Sequence, residues 1–259
     1  MPYLEGKHAI EEALLAHQPI QRIWCASGMK PDATLSVIMQ MAQDAGIPWE
    51  VTSHDRLNEM SERGTVRGAA RGAARGFHQG VIAEVEPYQF AALSDIIAAT
   101  RTATSALVVV LDHITDPGNF GAVARSAEAV GAAGLVVASR RAAALTPAAH
   151  KAAAGAFSYL PTAQVVNITR ALAELKDAGY WVAGASEHAS DLAWDSPLRG
   201  KIVLVMGAED TGLSRLVSET CDFLIKLPQQ GKVSSLNVAQ AATALMYEYL
   251  RQNYETPHN

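Results

Sequence analysis

Six consecutive apolar residues, Ala106 to Leu111 (ALVVVL), restrict most sharply what this chain can become. A strand with one face in water alternates apolar and polar side chains. An unbroken valine-rich run therefore reads as a strand of a parallel sheet covered on both faces. Leu135–Ala138, Gln164–Val166, Tyr180–Ala183, Ile202–Met206 and Phe223–Leu227 read as further short strands. Helical patterns over Asn119–Val130 and Ile168–Ala178 lie between them. Strands alternating with helices predict an α/β domain on a mostly parallel sheet.

The chain ahead of that run has a different rhythm. Lys7–Ala16 has helical spacing, with Ala9, Ile10, Ala13 and Leu14 on one face. Ile20–Cys25, Trp49–Val51 and Val81–Val85 read as strands. Asp32 opens a helix to about Ala45, and Ser53 caps another reaching Met60. These predict a small α/β module over residues 1–86, a linker over 87–104 with a short helix around Phe90–Ala98, and a larger domain over 105–259. Inside the module, RGTV-RGAA-RGAA-RGFH places Arg63, Arg67, Arg71 and Arg75 at a period of four. The accompanying glycines each cost a helix about 1 kcal/mol, so the repeat reads as a basic loop. Such arginines suit phosphate contacts and base stacking. A tolerated low-complexity insertion explains the same residues.

Composition narrows the class of function. A charged share of 18% beside a hydrophobic share of 49% describes a globular chain, not a disordered one. A net charge of −5 means that nucleic-acid contact must come from a local patch. No apolar run approaches the length of a membrane span, and the acidic amphipathic start is unlike a signal peptide. Cys25 and Cys221 lack metal-ligand spacing and read as reduced thiols. The expectation is a cytoplasmic protein without a metal.

Polar residues that look out of place collect at three strand-to-helix junctions. The first is LDHITDPGNFGAVARSA, with Asn119 at a helix entrance and Arg125 on a helix otherwise made of small residues. Arg125 suits an anion or phosphate partner; an exposed surface arginine is the plainer reading. The second is VLVMGAEDTGLS, where Gly207 lets a ligand lie against the strand end and Glu209 follows. The third is LPQQGKVSSLNVAQAA, where Ser234 or Ser235 is placed to cap a helix carrying Leu236 and Asn237 in its first turn. All three fall on the carboxyl edge of a parallel sheet, where such sheets bind ligands. A dinucleotide-binding glycine fingerprint is absent from LDHITDPGNFGA, so an oxidoreductase is not supported.

DPGNFGAVARSA, GAEDTGLS and LPQQGKVSSLNVAQAA resemble the three motifs of the SpoU, or TrmH-like, RNA ribose 2′-O-methyltransferases. The resemblance covers about Leu107 to Leu250, and residues 1–86 resemble that family's ribosomal-protein-like RNA-binding domain. The arrangement is most similar to members that methylate a guanosine ribose in 23S rRNA; tRNA is the alternative substrate, and a non-catalytic RNA-binding protein the alternative class. The resemblance implies a deep trefoil knot in the catalytic domain, S-adenosylmethionine as cofactor, RNA as partner and a homodimer. It further implies Asn119, Arg125, Glu209, Ser235 and Asn237 as catalytic positions, with Gly207, Leu227 and Leu236 around the cofactor's adenine.

Overall fold

A computed structural model describes residues 3–15, 19–30, 32–64, 78–86, 88–140, 142–143, 145–232 and 235–254. The chain divides into two units, Met1–Gln89 with Ala144–Tyr159, and Phe90–Ala143 with Leu160–Asn259.

The first unit begins with β1 (Tyr3–Glu5), α1 (Lys7–Leu15), β2 (Ile20–Ala26) and α2 (Ala33–Asp44). It continues with β3 (Trp49–Thr52), α3 (His54–Gly64) and β4 (Val81–Val85). The strands form a mixed sheet in the order β1-β4-β2-β3, in which only β2 and β3 are parallel. Alternation along the strands feeds two cores. Ile23, Cys25, Val81, Ala83 and Val85 meet Ile10, Leu14, Leu35 and Ile38 of α1 and α2. Trp24, Ala26 and Ile82 meet Leu57 and Met60 of α3. Asp32 caps α2 by accepting from the Leu35 N–H at 2.8 Å, and Ser53 accepts from the Arg56 N–H at 3.2 Å. Helix α3 runs through Arg63 and Gly64, beyond the expected end at Met60, so the backbone of Arg63 is helical and not part of a loop. Arg67, Arg71 and Arg75, and the side chain of Arg63, lie outside the described residues.

The second unit opens with α4 (Leu93–Ala99), β5 (Ala106–Leu111), α5 (Pro117–Ala129) and β6 (Gly134–Ala138). The chain then returns to the first unit with α6 (Pro147–Ala153), which packs against β1 and α1. That excursion departs from the single boundary expected of the sequence. Gly155, at φ +92°, follows α6, where a Cβ would fall 2.3 Å from Glu12 Cβ. The second unit resumes with β7 (Thr162–Val165), α7 (Ile168–Asp177), β8 (Trp181–Ala185), β9 (Asp191–Leu192) and β10 (Lys201–Met206). It closes with α8 (Arg215–Thr220), β11 (Phe223–Lys226) and α9 (Val238–Asn253). Among the described residues, no helix is long and apolar enough to cross a membrane.

All seven strands of the second sheet are parallel, in the order β7-β6-β5-β10-β8-β11-β9. Every residue of β5 is buried, as a strand covered on both faces requires. Val108, Val110, Val136, Val203 and Val205 pack with Leu172 and Leu175 of α7. Helices α5 and α9 pack on each other, α5 against β6 and α9 against β10. Ser126 Oγ and Thr243 Oγ1, 2.7 Å apart, join them. The end of α9 grips the loop before β10. Asn253 Oδ1 accepts from the Gly200 N–H at 2.9 Å, and its Nδ2 donates to Leu198 O at 2.7 Å.

Two helix starts differ from the sequence reading. Asp116 caps α5 and Pro117 is its first residue, so Asn119 stands in the first turn rather than at the entrance. Helix α9 begins at Val238, and Asn237, not Ser235, caps it. The Asn237 carboxamide accepts from the Ala239 and Gln240 N–H groups, the donors a helix start leaves unpaired. Ser235 and Leu236 precede the helix, and Ser234 lies outside the described residues.

Candidate active site

In the second sheet the strand order reverses between β5 and β10, since β6 and β7 extend to one side and β8, β11 and β9 to the other. The carboxyl ends at such a reversal leave a crevice for ligands. The loops after β5 and β10 open there.

One carboxylate oxygen binds the three junctions together. Glu209 Oε1 accepts from Asn119 Nδ2 at 3.1 Å, from Asn237 Nδ2 at 2.6 Å and from the Val238 N–H at 3.1 Å. Asn237 Nδ2 also donates to Asn119 Oδ1 at 2.9 Å. A carboxylate at the first N–H groups of α9 is favoured by the helix dipole as well as by these bonds. Asn119 is held in turn by Asp116, whose Oδ1 accepts from the Asn119 N–H at 2.7 Å.

A second carboxylate fixes the loops from beneath. Asp112, with its side chain 1% exposed, follows β5 directly. Its Oδ2 accepts from the Ser214 N–H at 2.7 Å, and its Oδ1 lies 2.6 Å from His113 Nδ1. It thereby ties the start of α8 to the end of β5. Sequence reasoning missed this residue, although an acid directly after six apolar residues was the available signal.

Beside the Glu209 cluster lies a cleft of about 590 Å³, within the range of small-ligand sites. Gly207, Leu227 and Leu236 all line it, as do Glu209 and Ser235. The fold gives glycine at 207 a further reason. A Cβ there would fall 2.3 Å from Gly212 C and 2.4 Å from the Leu213 N, because the chain folds back through an Ala208–Gly212 bridge. Glycine permits that reversal, and the reversal shapes the cleft wall.

Arg125 stands apart from this set. It is exposed on α5, and among the described residues it has no hydrogen bond or ion pair. Cys25 and Cys221 are both free thiols. Burial pushes the Cys221 thiol up to about 12, which suits packing and not nucleophilic chemistry near neutrality.

These features define a protein with a cleft at the carboxyl edge of a parallel sheet, beside a cluster of amides and a carboxylate. A sequence profile of the SpoU rRNA Methylase family matches residues 106–247, and one described as RNA 2′-O ribose methyltransferase substrate binding matches residues 3–91. The chain belongs to the SpoU family. It is 37% identical over 252 residues to the 23S rRNA (guanosine-2′-O-)-methyltransferase RlmB of Pseudomonas putida, covering 95% of each chain. It is 38% identical over 251 residues to YacO of Bacillus subtilis, assigned to the TrmH family of tRNA/rRNA methyltransferases, covering 96% of this chain and 95% of that one. A longer Synechocystis relative, an uncharacterized tRNA/rRNA methyltransferase, is 37% identical, and the chain spans 62% of its length. Among solved structures, the SpoU methyltransferase AviRb of Streptomyces viridochromogenes superposes with a TM-score of 0.78 at 25% identity, covering 97% of this chain and 89% of that one. AviRb in complex with the cofactor AdoMet superposes with a TM-score of 0.76 at 26% identity, covering 96% and 89%.

Proposed function

We propose that this chain methylates a ribose 2′-hydroxyl of RNA, using S-adenosylmethionine, and that its target is a guanosine of 23S rRNA. The observation that carries the reading is the meeting of Asn119, Glu209 and Asn237, one from each junction, through Glu209, which lines the cleft. The cleft suits the cofactor in volume, and Leu227 and Leu236 offer apolar surface to its adenine. S-adenosylmethionine, when bound, supplies a methyl group already activated by its sulfonium.

What remains for the protein is to hold the ribose in line and to exclude water. Asn119 presents its amide at the end of the first junction. Glu209 and Asp112 keep the loops around it from moving. Arg125, exposed and without a partner among the described residues, has a guanidinium free to grip an RNA phosphate. Ser235, exposed on the cleft wall, offers a hydroxyl.

The P. putida relative, matched along nearly its whole length, favours rRNA as substrate. In this reading residues 1–86 bind RNA, residues 105–259 carry catalysis, the catalytic domain is knotted, and the enzyme works in the cytoplasm as a homodimer. Light scattering should then report about twice the 27.5 kDa chain mass. Mapping 2′-O-methyl positions in rRNA and tRNA from a strain lacking the gene tests the whole. One missing guanosine mark in 23S rRNA is expected; a missing tRNA mark would move the substrate, and no missing mark would overturn the reading.

A further inference from the structure

The amide of Asn237 has no hydrogen-bonding capacity left for a ligand. A carboxamide offers two N–H donors and an oxygen with two lone pairs. Its Nδ2 donates to Glu209 Oε1 and to Asn119 Oδ1. Its Oδ1 accepts from the Ala239 and Gln240 N–H groups. The chemistry fixes which way round it sits. A carboxylate accepts only, so Nδ2 must face Glu209, and the helix N–H groups require oxygen on the other side. The same constraint turns Asn119, whose Nδ2 faces Glu209 and whose Oδ1 faces Asn237. Asn119 is left with one N–H free among the described residues.

We propose that Asn237 is a positioning residue that touches neither RNA nor cofactor, and that the free N–H of Asn119 is the donor of this cluster to an oxygen of the target ribose. Glu209 acts between them, because its Oε1 sets the orientation of both amides at once. This inference rests on the methyltransferase reading and assigns separate roles to three residues of its site.

A double-mutant cycle on the full chain tests it, with methyl transfer from tritiated S-adenosylmethionine to 23S rRNA from a strain lacking the gene. Asn237→Asp keeps a helix cap but sets a carboxylate against Glu209; Glu209→Gln removes the acceptor charge. Each single variant should lower kcat about a hundredfold, with cofactor affinity by calorimetry and KM for RNA within about twofold of wild type. The double variant should fall no more than about threefold below the worse single, since residues acting as one unit are non-additive. Losses that multiply to about ten-thousandfold would show two independent substrate contacts and overturn the inference. Should Asn237→Asp fold poorly, Asn237→Ser closes the same cycle, its hydroxyl capping the helix while too short to reach Asn119. Near-normal turnover in Asn237→Ser would also overturn the inference. Absence of transfer by the wild-type chain to both this 23S rRNA and tRNA from the same strain would overturn the methyltransferase reading itself, whereas transfer with multiplying losses overturns the positioning role alone.

Discussion

The two sheets of this protein spend their polar groups differently. In the mixed sheet of the first unit, buried polar atoms satisfy one another. Ser61 Oγ donates to Glu5 Oε2 at 3.0 Å, and the His78 ring pairs with Asn58 Oδ1 at 3.1 Å and accepts from the Gly80 N–H at 2.9 Å. In the parallel sheet of the second unit, β5 is apolar throughout and β10 from Ile202 onward, and polar groups gather beyond their carboxyl ends, around Glu209 and Asp112. Among the described residues, that edge keeps open valences in the second N–H of Asn119 and the Ser235 hydroxyl, and the Arg125 guanidinium on α5 is unpartnered as well. A closed set of hydrogen bonds stabilises a fold; an open one faces a ligand. The contrast supports the proposal that chemistry belongs to the second unit and binding to the first.

Substitutions can break that contrast, beginning with the largest effect. Gly207→Val should abolish S-adenosylmethionine binding, because the new Cβ would overlap backbone at Gly212 that has nowhere to move. Overpacking of this kind costs about 1–3 kcal/mol, and calorimetric titration would reveal retained affinity if the reversal were dispensable. Arg125→Ala should lower methyl transfer about a hundredfold while cofactor affinity and thermal midpoint stay put, as expected of an orienting group. A variant with normal turnover would return Arg125 to the ordinary surface.

Effects in the first unit should appear as stability instead. Burial lowers the His150 imidazole to about 4 from the ordinary 6.5. The unfolded chain therefore binds that proton first, so the stabilisation is complete above about 6.5 and is lost as pH falls toward 4. His150 is not fully enclosed, so the loss is roughly 1–2 kcal/mol. Glu5 opposes it, since burial holds its carboxyl above the usual range and protonation there favours the fold. His150→Gln should flatten the fall in thermal midpoint between neutral pH and pH 4.5; an unchanged slope would assign the acid lability elsewhere. Smallest of all, Gly46→Ala meets nothing within 4 Å but sits at φ +67°. It should cost about 1 kcal/mol of stability and leave methyl transfer untouched, in contrast to residue 207.

Much of this fold is legible in the sequence. The apolar run over β5, the helical face of Ala9, Ile10, Ala13 and Leu14 in α1 and the caps at Asp32 and Ser53 depend on local physics, and all appear in the fold. What escaped depends on distant partners. Three residues of β1 have no period to read, and they exist as a strand because β4 pairs with them. Helix α6 carried a Thr146-Pro147 start signal, but its alanine-rich body shows no apolar face. At the head of α9, the sequence offers Ser234 or Ser235 as the cap and sets Asn237 in the first turn, whereas Asn237 is the cap. Glu209, 28 residues earlier, bonds both Asn237 and the Val238 N–H, which local patterns could not foresee.

In the proposed function, the cleft beside Glu209 serves methyl transfer to a ribose oxygen. Alkaline hydrolysis tests it most directly, because cleavage of RNA requires a free 2′-hydroxyl. 23S rRNA from a strain lacking the gene, labelled by the purified chain with tritiated S-adenosylmethionine, should release its tritium in alkali-resistant dinucleotides. Tritium recovered in mononucleotides would place the methyl group on a base and contradict the account.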